Sequence, residues 1–135
     1  MIRNIGYNPL RWNCLSRGCF NFHKRPKIEE FAECLPGKSG FADIDAITEI
    51  GGYFLLMEWK DGRGAVQVGQ SIMLKEMAKT GRFTSLIVVG QTENMKVQEI
   101  KIYNEDGISD WMPCNLSELK NYVRNWATRA APKRK

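Results

Sequence analysis

The chain has 135 residues, 43% of them hydrophobic and 26% charged, with a formal net charge of +5 at pH 7. No stretch approaches the roughly 20 consecutive apolar residues of a membrane helix, and the N-terminus (Met1, Ile2, Arg3, Asn4) lacks the apolar core of a signal peptide. A chain that is neither secreted nor membrane-spanning is therefore expected, as is one domain over residues 1–126 with a basic, disordered tail over 127–135.

Split along the chain, the net charge is uneven. Residues 1–27 carry Arg3, Arg11, Arg17, Lys24, Arg25 and Lys27 without an acid. Residues 28–126 carry ten bases and fifteen acids, and residues 127–135 add Arg129, Lys133, Arg134 and Lys135. Basic ends flank an acidic middle, a pattern suited to a chain that meets a polyanion through its ends.

Residues 1–26 show no hydrophobic period and read as irregular structure. Cys14, Cys19, His23 and Cys34 have the ligand types of a zinc site, but the spacing C-x4-C-x3-H-x10-C matches no common zinc signature. Reduced, buried thiols are the alternative. Arg17, His23, Lys24, Arg25 and Lys27, interleaved with Trp12, Phe20 and Phe22, suit phosphate contact and base stacking. Core anchoring by the aromatics is an equal alternative.

Pro26 opens a short predicted helix with Ile28, Phe31, Ala32 and Leu35 on one face, ended by Pro36-Gly37. Residues 41–50 and 53–60 read as strands joined by Gly51-Gly52, a tight hairpin turn. After Asp61-Gly62-Arg63-Gly64 a helix runs to about Thr80, closed by Gly81. Phe83 to Val89 reads as a buried strand and Val97 to Tyr103 as a half-exposed one. Asn115 with Glu118 forms a capping box, and Leu119, Tyr122, Val123 and Trp126 give the last helix an apolar face. Helix, hairpin, helix, strand, strand, helix is an α/β arrangement around a small mixed sheet.

The hairpin carries the chemistry. With Ile50 paired to Tyr53, Asp45 falls opposite Glu58 and Asp43 opposite Lys60, all on one face. Opposed carboxylates repel, so a cation is expected between them. Mg²⁺ is typically held by one or two carboxylates plus water and substrate phosphate. Lys60 could orient or help deprotonate a water there. The alternative is a solvated strand face, against which stands the apolar run Phe54-Leu55-Leu56-Met57, which makes the strand central.

Phe41-Ala42-Asp43-Ile44-Asp45, the short hairpin and Glu58-Trp59-Lys60 resemble the PD-(D/E)XK nuclease superfamily, in particular its RecB-like and small phage-borne members. The resemblance covers about residues 28 to 90. It implies a restriction-endonuclease-like core of the αβββαβ type, a small mixed sheet flanked by helices. No proline precedes either aspartate, and two aspartates stand where the family needs one. The hairpin register assigns Asp45, with Asp43 in a supporting place. The resemblance further implies a metal-supporting glutamate on the first helix, for which Glu29 lies closest to the apolar stripe at about 100° per residue; solvated acids are the alternative. On the second helix Val66, Met73 and Met77 define the inner face, with Gln70 inside it and Gln67 at its border. Related nucleases place a glutamine near the active site there, although their QxxxY pattern is missing.

The function so implied is metal-dependent hydrolysis of DNA phosphodiesters. Asp45, Glu58 and Glu29 would hold Mg²⁺ or Mn²⁺, with Lys60 and Gln70 completing the site. The DNA is open between double-stranded, single-stranded and branched forms, and a homodimer would suit cutting of both strands. The alternatives are a nuclease-like module that binds nucleic acid or protein without cutting, and a zinc-stabilised DNA-binding domain. The resemblance favours the cytoplasm of a bacterium or phage-infected host; the Pro132-Lys133-Arg134-Lys135 end would suit nuclear import in a eukaryote.

Overall fold

The computed structural model describes residues 28–37, 39, 41–42 and 44–131. They belong to two units, one ending at Phe41 and the other beginning at Ala42.

In the first unit Ile28–Cys34 forms a 3-10 helix where the sequence predicts an ordinary short helix. Seven residues stopped by Pro36 are too few to sustain an α-helix, and a 3-10 turn advances about 120° per residue. The stripe expected at 100° is therefore not maintained. Ile28 and Phe31 stay exposed, and Phe31 meets Phe41 edge-on at 6.2 Å.

The second unit is a mixed six-stranded sheet with one α-helix against each face. In chain order its elements are β1 (Ala46–Ile50), β2 (Tyr53–Lys60), α1 (Val68–Lys79), β3 (Phe83–Gln91), β4 (Lys96–Asn104), β5 (Gly107–Ile108), β6 (Met112–Pro113) and α2 (Leu116–Ala130). The sheet order is β1-β2-β3-β4, and β5 and β6 both pair with β4 as a broken edge. Only β2 and β3 are parallel, with α1 as their crossover; the other pairings are antiparallel. Two strands precede α1 among the described residues, where the αβββαβ expectation has three.

Local chemistry explains most boundaries. Gly51 and Gly52 have φ of 59° and 87°, and a two-residue hairpin turn with both central φ positive closes β1 onto β2 with little twist mismatch. The register is the expected one, Ile50 with Tyr53 and Ala46 with Met57. β1 is shorter than predicted and begins at Ala46. Asn115 caps α2 as read from the sequence: its side chain accepts from the Glu118 N–H, and the Glu118 carboxylate accepts from the Asn115 N–H. A short 3-10 turn, Arg63–Ala65, separates β2 from α1.

Alternation along β2, β3 and β4 splits the core into two layers. Leu55, Leu86, Val88, Val97 and Ile100 pack with Leu119 and Trp126 of α2. On the other face Leu56, Ile87 and Tyr103 pack with Leu74 and Ala78 of α1. Val66, Met73 and Met77 border this second cluster as expected, although Leu74 is its most buried helical residue.

At the β-bulge after Val89, a Cβ on Gly90 would run into the backbone carbonyl oxygen of Lys96. Backbone cannot swing aside as a side chain can. Gly90→Ala is therefore expected to destabilise the protein by about 1–3 kcal/mol; an unchanged urea midpoint would contradict this.

Candidate functional site

Glu58 and Lys60 occupy the last turns of β2, at the carboxyl end of the parallel strand pair, where crossover sheets open a crevice. Both fall on the α1 face, because Leu56, two residues earlier, packs against α1. Glu58 is 4% exposed, and a carboxylate this buried requires donors around it.

Three groups supply them. The Asp45 N–H donates to Glu58 Oε2 at 2.8 Å, and Gln70 Nε2 donates to Oε1 at 2.8 Å. Lys60 Nζ lies 3.8 Å from the same Oε1. Gln70 is the third residue of α1, so Glu58 also faces the helix's first turn, the positive end of its dipole. The adjacent Ser71 hydroxyl ties this turn to the buried Tyr103 hydroxyl at 2.8 Å.

Asp45 lies opposite Glu58 when the hairpin register is continued by one residue, and its carboxylate is held by the backbone beside Glu58. β1 has stopped pairing at Ala46, and Asp45 Oδ2 accepts the Trp59 N–H at 2.7 Å. The side chain of Asp45 thus continues the ladder that its backbone has left. Glu58 answers by accepting the Asp45 N–H. Backbone N–H donors thus hold both carboxylates.

Asp45, Glu58, Lys60 and Gln70 are thus brought together. The Gln70 carbonyl oxygen is buried without a hydrogen-bond partner. Gln67 is the α1 N-cap residue, exposed and without a side-chain capping bond. Glu29 belongs to the 3-10 helix of the first unit. Asp43, Cys14, Cys19, Arg17, His23, Lys24, Arg25 and Lys27 lie outside the described residues. Cys34 is exposed. Among the described residues no three His, Cys, Asp or Glu side chains converge as a metal cluster. Cys114, the fourth cysteine, donates to the Asn115 carbonyl oxygen at 3.4 Å, and burial pushes its thiol pKa up, away from the thiolate that zinc prefers.

Sequence reasoning missed four neighbours. Arg63 binds Glu99 through two hydrogen bonds of 2.6 Å. Its guanidinium carbon also lies 5.3 Å from the Trp111 ring centre, and Lys101 Nζ lies 5.5 Å from the same ring. The order Arg63-x-x-x-x-x-x-Gln70 carries no such signal, because β4 supplies the partners from more than thirty residues away. A cleft of about 570 Å³ opens beside Lys60, walled by Trp59, Asp61, Ala65 and the β3–β4 turn from Gly90 to Glu93.

The Arg63 hydrogen bonds hold the Glu99 carboxyl below its ordinary pKa. The pair's contribution to stability is complete above the unfolded carboxylate pKa of about 4.3 and is lost as pH falls through the lower folded value. Glu99→Gln is expected to flatten this acid-side loss in urea midpoints measured from neutral to acidic pH. An unaltered slope would show that the pair does not couple to folding.

No helix among the described residues is long and apolar enough to cross a membrane. Compared with protein-family models, with curated proteins and with solved structures, the chain finds no match in any of the three.

Proposed function

We propose that the protein is a metal-dependent nuclease that hydrolyses DNA phosphodiester bonds on a restriction-endonuclease-like core. The observation that carries this reading is Glu58, a carboxylate 4% exposed at the end of a central strand, with Lys60 beside it and Asp45 across from it. Burying a charge has a cost that a merely solvated face would not incur, and such costs concentrate at sites of chemistry.

The donor set suits a hard divalent ion. Glu58, Asp45 and the unpartnered carbonyl oxygen of Gln70 are all oxygen ligands. With so few protein ligands, most of the coordination shell would be left to water and substrate phosphate, as Mg²⁺ prefers and Mn²⁺ tolerates. Bound there, the ion would supply positive charge to the phosphate oxygens. Lys60, with its side chain 20% exposed, can orient the attacking water and offset negative charge as it develops on phosphorus. Hydrolysis then forms one P–O bond to water oxygen and breaks one P–O bond to the leaving sugar oxygen, which takes up a proton. Arg17, His23, Lys24, Arg25 and Lys27 are the proposed grip on the DNA backbone.

A second reading has its own observation. Both Glu58 oxygens and one Asp45 oxygen already accept hydrogen bonds from the protein, as in a site that binds without cutting. Incubating plasmid, single-stranded and branched DNA with Mg²⁺ or with chelator separates the two. Metal-dependent product that disappears in Glu58→Gln and Lys60→Ala supports the nuclease. Salt-sensitive binding that ignores metal and yields no product on any substrate supports the binding module.

A further inference from the structure

The strand registers assemble a surface next to Glu58 that the sequence does not reveal. β2 and β3 pair Glu58 with Ile87 and Lys60 with Val89. β3 and β4 pair Ile87 with Lys101 and Val89 with Glu99. Two rows therefore cross one face of the sheet, Glu58-Ile87-Lys101 and Lys60-Val89-Glu99, with the charged members about 10 Å apart across the central strand. Arg63 reaches over from the β2–α1 connection to Glu99. Trp111, just before β6, has both Arg63 and Lys101 within about 5.5 Å of its ring centre.

Two cations beside one ring repel each other, and among the described residues only Arg63 has a carboxylate partner of its own there. Glu99 engages Nε and Nη2 of Arg63, so Nη1 keeps two N–H donors in a fork whose orientation the Glu99 pair and the Trp111 ring hold. The Arg63 side chain is 58% exposed. Two cationic side chains with oriented donors, Arg63 offset by Glu99 and Lys101 beside it, set next to a buried carboxylate, fit an anion that extends away from that carboxylate.

We propose that Arg63 and Lys101, held by Glu99 and Trp111, bind the phosphate backbone of the DNA strand leading away from Glu58. The proposal deepens the nuclease reading and rests on it for the identity of the ligand. Backbone phosphates repeat along a strand, so one strand can meet Lys60, Arg63 and Lys101 in succession. Arg63 serves as a fixed fork and Lys101 as a point charge.

The test is fluorescence anisotropy of a labelled single strand and its duplex, in chelator so that nothing is cut, across a salt series. Arg63→Gln and Lys101→Gln are each expected to lower the slope of log K against log salt by about one. Between about 50 and 200 mM salt the wild type then loses roughly 3.5-fold more affinity than either variant. Lys120→Gln, an exposed change on α2 on the opposite face, is expected to keep the wild-type slope. Equal slopes for the wild type and both variants, with circular dichroism unchanged, overturn the proposal, as does failure of the wild type to bind DNA. Cleavage by the wild type in Mg²⁺ is scored separately. Lowered slopes without cleavage support this surface and remove the nuclease, whereas cleavage with equal slopes removes this surface and keeps the nuclease.

Discussion

Glu58→Gln is expected to reduce metal-dependent cleavage by at least about 100-fold while leaving the protein folded. The amide is nearly isosteric with the carboxylate but carries no negative charge to attract a divalent ion. It also brings an NH₂ into a pocket already lined by the Asp45 N–H, the Gln70 amide and Lys60. Rotating the Gln70 amide would turn its unpartnered oxygen toward that new NH₂, so the variant can restore its hydrogen bonds. Stability should therefore fall by only about 1 kcal/mol. Glu58→Ala has no such remedy. It leaves the Asp45 N–H and the half-buried Gln70 amide without their acceptor, and the cost, up to about 1–3 kcal/mol for an orphaned donor, falls mainly on Gln70, because Asp45 is exposed to water. Urea denaturation of the two variants, alongside a cleavage assay in Mg²⁺, separates charge from shape. Wild-type cleavage by Glu58→Gln would refute the assignment of Glu58 as a metal ligand.

Lys60→Ala is the second large effect, and it should fall on rate with little change in stability. Its ammonium lies 3.8 Å from Glu58 Oε1, beyond a good hydrogen bond, and two protein donors remain on Glu58 when it is removed. Loss of a positioned proton-transfer or charge-stabilising group costs about 100-fold to 10,000-fold in rate. Single-turnover cleavage with saturating enzyme reads that loss apart from any change in binding. Lys60→Arg is not expected to restore activity, since a planar fork cannot occupy the place of a point donor at the same distance. A rate within threefold of the wild type for Lys60→Ala would place the water-orienting group elsewhere.

The pairing behind both predictions was legible in the letters. Gly51 and Gly52 can adopt the two positive φ values of a tight hairpin, and once the turn is placed the opposed pairs follow as far as Ala46 with Met57, beyond which the Asp45 N–H bonds to the Glu58 carboxylate. Gln70 was readable in the same way, since one polar residue inside an apolar helical stripe must reach a buried partner. What periodicity did not convey was the direction of the Asp45 carboxylate. Alternation of faces holds only within a paired strand, and β1 begins at Ala46, one residue after Asp45. Free of the ladder, the side chain bonds to the Trp59 backbone. The 3-10 form of Ile28–Cys34 was equally beyond a calculation made at α-helical spacing.

The uneven charge read at the outset also changes meaning in three dimensions. The acidic middle, residues 28–126, contains both the buried carboxylate and a basic surface made of Arg63 and Lys101. By itself the sequence determined the hairpin register, the C-terminal end of α1 and the capping box of α2, because each depends on residues within about twenty positions of one another. Only the tertiary structure decided that Lys101 and Glu99 stand in the rows of Glu58 and Lys60, and that Arg63 and Lys101 meet the same Trp111 ring. Those neighbours are joined through a third strand, and strand order is settled by how the two faces of the sheet bury their apolar rows, which no local pattern encodes.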